Sequence, residues 1–190
     1  MSSCAPVRVV NATLYGIGGA VLFLFLFILA LICDGSWTFG VNDLSDLGVS
    51  PNPWACFFFN SACVFSGGLL FIFGIKMYYA CPNIERYAYL VSGLSALFLM
   101  GIGLMTEDMV PSVHLKFAYI FFAMVGCVVA GTILLDLKKK KLLRAVTSSV
   151  ILLMSLILYL TQPFEVYEPI IVMGMLVWII TRSVYVFTCH

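Results

Sequence analysis

Six long apolar runs separated by short polar connections make up almost the whole chain. They cover about Val9–Ile32, Trp54–Tyr79, Tyr87–Met105, Pro111–Leu135, Leu142–Thr161 and Val166–Phe187. Each is close to or above the roughly 20 residues an α-helix needs to cross a bilayer. The pattern predicts an all-α fold: a polytopic membrane bundle of six transmembrane helices, forming a single domain over residues 1–190. One polar stretch interrupts it at length, Asp34–Asn60, DGSWTFGVNDLSDLGVSPNPWACFFFN. It carries three of the nine carboxylates, and its part 34–53 is expected to form a structured loop.

The connections alternate in character. Odd-numbered ones are acidic and contain prolines, whereas even-numbered ones are short and basic. With the N-terminus inside, Arg8, Lys76, Arg86, Lys138–Lys141, Arg144 and Arg182 all fall on the inner side. Only Lys116 of the ten lysines and arginines lies on the outer half. This asymmetry predicts cytoplasmic termini, a cytoplasmic Lys138–Lys141 loop and an extracytoplasmic Asp34–Pro53 loop in a multi-pass protein of the cell membrane. The lysine run serves as a topology determinant that meets anionic headgroups, at about 1 kcal/mol per basic residue.

Composition narrows the classes further. The chain has 190 residues, 63% hydrophobic and 10% charged, with a mean hydropathy of +1.10. That leaves too few charged residues to cover a soluble domain. The net charge of +1 gives no case for nucleic acid. No small-residue cleavage pattern follows the first apolar run, so it reads as a retained signal anchor. The seven cysteines show no C-x-x-C and no zinc spacing. Most are expected as packing residues, with a Cys33–Cys56 disulfide left open.

Aromatic and small residues fit the same frame. Trp37 and Trp54 flank the long loop, and Tyr78, Tyr79, Tyr87 and Tyr89 crowd the second connection, as interfacial belts do. The pairs Gly16/Ala20, Cys63/Gly67, Ser92/Ala96 and Gly126/Ala130 have the spacing of close helix contacts. Lys76, Asp136 and Arg182 fall near inner helix ends, where long side chains can snorkel. No ionisable residue falls at a midplane, which argues against an ion-coupled transporter. Each outward connection also pairs carboxylates with proline, a weak threefold echo that turn chemistry alone can explain.

Candidate chemistry lies in two outward segments, Asn42–Asn60 and Thr106–Lys116. If Pro111 begins the fourth helix, His114 lies one turn in, and Asn60 lies about two turns into the second. Asp46, Asn60, Asp108 and His114, with Ser45 and Glu107 in support, can then line one shallow outward cavity. An imidazole near carboxylates can act as a general acid or base, or join Asp46 and Asp108 as ligands of a divalent cation. The plainer reading assigns Asp43 and Asp46 to an Asx turn, Asp108 to a helix cap and His114 to a loop carbonyl. Polar groups within membrane helices are costly, which keeps the functional reading in play.

Catalytic zinc usually takes three protein ligands, and the only other histidine, His190, is expected on the opposite side. A carboxylate-rich site suits calcium or magnesium better. Ser45, His114 and Asp46 can be written as a triad, but no nucleophile elbow supports it. No phosphate loop or dinucleotide fingerprint is present.

The pattern Ser45-Asp46-Leu47-Gly48 with Pro51 or Pro53, then Phe59-Asn60, Gly103, Glu107-Asp108 and His114, resembles a six-helix prokaryotic, largely archaeal, membrane family known as domain of unknown function 998. In layout it is more distantly similar to the Frag1, DRAM and Sfk1 proteins, which implies a lipid-related role by analogy. The expectation is an integral membrane protein whose outward polar pocket binds a lipid headgroup or small polar ligand, with a divalent cation as candidate cofactor. An intramembrane lipid-modifying hydrolase or transferase using His114 with Asp46 or Asp108 is the enzyme alternative. The third reading is a structural subunit of a larger membrane complex; the expected partners are membrane lipids, with a homo-oligomer or a larger membrane complex left open.

Overall fold

The computed structural model describes residues 6–81 and 83–188, so Cys4, Cys189 and His190 lie outside the described residues. The chain forms α1 (Pro6–Asp34), α2 (Pro53–Ala80), α3 (Glu85–Leu104), α4 (Pro111–Lys138), α5 (Leu142–Thr161) and α6 (Phe164–Thr188), with a short 3-10 turn at Ser45–Val49. All six helices are long and apolar enough to cross a membrane, and no strand occurs among the described residues. Each helix begins and ends within a few residues of the corresponding apolar run.

Local chemistry explains the starts and stops. Pro53 and Pro111 open α2 and α4 at the first helical positions, where a missing N–H costs nothing. Asn52 caps α2 by accepting the Trp54 N–H at 3.0 Å. At the end of α4, Lys140 turns to φ 57° and the Lys141 N–H reaches back to the Asp136 carbonyl at 2.9 Å, closing the helix. Asp108 does not cap α4 as expected. It accepts the Thr106 hydroxyl instead, and the N-cap residue Val110 makes no side-chain bond.

Consecutive helices pack side by side, and α6 returns to α1, so the six form a ring. Contacts between helices show their alternating direction. Ala12, Met77 and Tyr89 meet at one end, where Lys139 also pairs with Glu85 at 2.7 Å. The 35–52 connection lies at the other. These are called below the lysine end and the loop end.

The α1–α2–α3 half is closely fitted. Gly19 lies against Leu70, Gly67 against Met100 and the Ala96 carbonyl, and Gly74 against Gly93. Gly16, Cys63 and Ala96, from the expected small pairs, do sit at such contacts. Gly126 does not. A side chain there would meet nothing within 4 Å, because Gly126 lines an open groove between α4, α5 and α6. The Gly74–Gly93 contact was not among the expected pairs, since its small residues sit singly, one on each helix.

On α5 only Ala145 and Ser148 are buried. The Trp178 indole donates to Ser148 at 3.0 Å and ties α6 to α5.

Asp136 and Arg182 do not snorkel. Both are buried and paired with one another across α4 and α6. Lys76 reaches the Tyr15 ring, 5.2 Å from its centroid. Cys33 and Cys56 are free thiols. The Cys56 thiol donates to the Ser50 carbonyl at 3.0 Å, so the disulfide left open by the sequence is not formed.

Candidate functional site

The 35–52 connection folds back into the end of the bundle rather than standing above it. Asp34 starts the fold: one carboxylate oxygen accepts the Ser36 and Trp37 N–H groups, and the other accepts the Ser50 hydroxyl at 2.5 Å. Gly35 and Gly40 supply the left-handed turns, at φ 67° and 77°. Leu44 and Leu47 then enter the core, 2% and 0% exposed. Withdrawing each from water contributes about 2 kcal/mol. Three polar residues hold this plug. The Trp37 indole donates to the Asp43 carbonyl at 2.8 Å, Asn60 of α2 donates to the Gly48 carbonyl at 3.0 Å, and Glu168 of α6 accepts the Leu44 N–H at 2.8 Å.

Between the plug and the first turns of α4 and α6 lies a cavity of about 500 Å³. Its polar lining comes from Asp43 and Ser45 of the plug, Glu107 before α4, Ser112, His114 and Tyr119 of α4, and Tyr167 and Glu168 of α6. A smaller void of about 60 Å³ lies beneath, and Ser45, His114 and Glu168 line both. On the membrane-facing side Tyr119, Phe164 and Tyr167 also belong to an almost wholly apolar groove of about 330 Å³ between α4, α5 and α6. The three spaces therefore adjoin through shared side chains.

The expected site residues divide. Ser45, Glu107 and His114 line the cavity; Asp46, Asn60 and Asp108 do not. Asp46 accepts the Asp43 N–H at 3.0 Å and the Asn42 amide at 3.1 Å, the local turn that its spacing allowed. Asn60 holds the plug through Gly48 and faces a shallow surface depression with Gly103. Asp108 is engaged with Thr106.

Two carboxylates that the sequence did not single out join the cavity, Asp43 and Glu168. Glu168 is 7% exposed, and Leu44 N–H is its only hydrogen-bond donor among the described residues. The available signal was its place one turn after Glu165 inside an apolar span, since a carboxylate there is expensive unless used. Asp43 leaves one carboxylate oxygen buried without a partner.

The electrostatics are one-sided. Burial first, then the like charges of Asp46, Glu165 and Glu107, push the Asp43 carboxyl up from 3.8 to about 6. His114 Nδ1 lies 2.8 Å from the Met105 carbonyl. A carbonyl only accepts, so Nδ1 carries a hydrogen, and in the neutral ring Nε2 is the acceptor. His114 thus positions the α3–α4 connection with one nitrogen and can offer the other to a ligand. Among the described residues no three His, Cys, Asp or Glu side chains converge as metal ligands.

A protein-family model described as Protein of unknown function (DUF998) matches residues 17–185, nearly the whole chain. No curated protein matches the chain. No solved structure matches it.

Proposed function

The chain belongs to the DUF998 family, and from that premise we propose that its multi-pass bundle binds the polar head of a membrane lipid in the loop-end cavity, on the extracytoplasmic side. The single observation that carries this reading is Glu168. A carboxylate this buried in a membrane helix is costly unless it is used, and one hydrogen bond from Leu44 leaves acceptor capacity beside both cavities. A cavity of this volume falls in the range of small-ligand sites, about 300–1,000 Å³. Asp43, Ser45, Glu107 and the free nitrogen of His114 add acceptors around the same space. The adjoining apolar groove favours an amphiphile over a freely soluble molecule. The positive-inside asymmetry supports the extracytoplasmic side.

The test is native mass spectrometry of the full chain purified in mild detergent, beside Glu168→Gln. The amide keeps an oxygen to accept the Leu44 N–H, so the plug stays in place while the charge is removed. We expect a co-purifying lipid on the wild type and about tenfold lower occupancy on the variant, the effect of roughly one lost charged hydrogen bond. Equal occupancy in a variant with unchanged thermal stability would refute the headgroup site and return the polar residues to a structural part in loop folding.

A further inference from the structure

Building on that reading, we infer that the bound amphiphile carries an ammonium head, seated among Asp43, Glu107 and Glu168, with its tail in the groove between α4, α5 and α6. Charge complementarity points to the head. Three carboxylates line the cavity against a single imidazole, and no lysine or arginine side chain is among its lining. An anionic phosphate head would therefore face like charges with no basic partner. A bare divalent cation draws its ligands in to about 2.0–2.6 Å, and among the described residues no three carboxylate or imidazole groups stand close enough together for that, whereas a bulkier ammonium head is met by groups set farther apart.

An organic cation imposes no such coordination geometry. It also exploits the rings at the junction of cavity and groove, Tyr119, Phe164 and Tyr167, because the negative face of an aromatic ring attracts an ammonium. Phe164 and Tyr167 already stand edge to face, 5.3 Å between centroids, and Tyr159 packs on Tyr167 at 5.4 Å. Clustered aromatic rings are what recognises quaternary ammonium groups.

The tail follows from continuity. The same three aromatic residues that edge the polar cavity also line the groove, whose other walls are aliphatic and aromatic side chains of α4, α5 and α6. Gly126 lines it with open space above its Cα. A chain attached to an ammonium in the cavity would pass between the rings into this groove.

The experiment uses the full chain in nonionic micelles and three probes: dodecyltrimethylammonium, dodecyl phosphate and tetramethylammonium. Affinity is read by calorimetric titration on the wild type, Glu168→Gln, Asp43→Asn and Gly126→Leu. Ser155→Leu, from the facing wall of the groove, substitutes for Gly126→Leu if that variant does not fold. We expect dodecyltrimethylammonium to bind, and to lose about tenfold in each acid variant as one charge contact is removed. Gly126→Leu should weaken the alkyl probe and leave tetramethylammonium unchanged. If dodecyl phosphate binds as tightly, with the same dependence on Glu168, the ammonium inference fails while the headgroup cavity stands. If tetramethylammonium matches the alkyl probe and Gly126→Leu changes nothing, the tail placement fails. If no probe depends on Glu168 or Gly126, the inference falls together with the proposed function.

Discussion

The two halves of the bundle solve the same packing problem differently. Lipid tails are as apolar as leucine, so helices in a membrane must associate through close fit or polar contacts. In the α1–α2–α3 half the fit is enough. Gly74 and Gly93 bring two backbones together, and Gly67 lets α2 rest against the Ala96 carbonyl of α3. In the α4–α5–α6 half the helices diverge around a groove of about 330 Å³ and are tied by polar pairs at intervals. Trp178 holds Ser148, Arg182 holds Asp136, and Glu168 holds the plug. Small residues therefore carry no fixed meaning: on α2 and α3 they remove distance, while Gly126 on α4 leaves room.

The largest way to break this contrast is to remove the tie of the looser half. Asp136→Asn leaves the Arg182 guanidinium buried without its counter-charge, and should cost about 3–5 kcal/mol. Asp136→Leu combined with Arg182→Met should recover most of that loss, because two apolar side chains need no partner. Thermal unfolding in detergent would report both. A single variant within about 1 kcal/mol of wild type would mean that the ion pair is not what joins α4 to α6.

A smaller effect sharpens the comparison with one chemical change made in each half. In Gly74→Ala the new Cβ would stand 2.5 Å from the Gly93 Cα, and backbone cannot swing aside as a side chain can. A loss of about 1–3 kcal/mol is expected from overpacking. Gly126→Ala meets open space. It should be neutral or gain up to about 1 kcal/mol from helix propensity. Equal losses at the two positions would show that the halves are packed alike.

The fold was largely legible in the sequence because membrane solvation imposes it: each span needs a run of apolar residues, and hydropathy reads that directly. The lining of the candidate cavity was legible in part. Ser45, Glu107 and His114 lie in the loop-end segments where polar residues stood out, and they do line the cavity. Asp46 stood out equally, yet its carboxylate is spent on the Asp43 N–H and the Asn42 amide four residues or fewer away. Local turn chemistry and site chemistry use the same residue types, so spacing alone does not separate them. Glu168 was passed over because it was grouped with Pro163, Glu165 and Pro169 as the third outward carboxylate-and-proline connection, although it falls inside the last apolar run. Its partner Leu44 is 124 residues away, and no local pattern encodes that pairing. The Asp136–Arg182 pair escaped for the same reason, 46 residues apart and each legible only as a charge near a helix end.

The smallest effect concerns pH and belongs to the plug, where it meets the looser half. Asp43 faces Asp46 from its own loop, Glu107 from the connection before α4, and Glu165 and Glu168 from α6. Its carboxyl is raised to about 6 in the folded chain from 3.8. The folded state therefore holds this proton more tightly than the unfolded state. Its stabilising contribution is full below about pH 4 and is lost as pH rises through about 6. Asp43→Asn should flatten the stability profile across that window and be more stable than wild type at pH 7, by about 1 kcal/mol after solvent screening of a half-buried group. Melting temperature against pH for both proteins checks it, and an unchanged slope in the variant would assign the titration to another group. An ammonium probe adds a further discrimination. A cation seated beside Asp43 favours its charged form, so dodecyltrimethylammonium should flatten the wild-type profile as the substitution does and leave the Asp43→Asn profile nearly as it was.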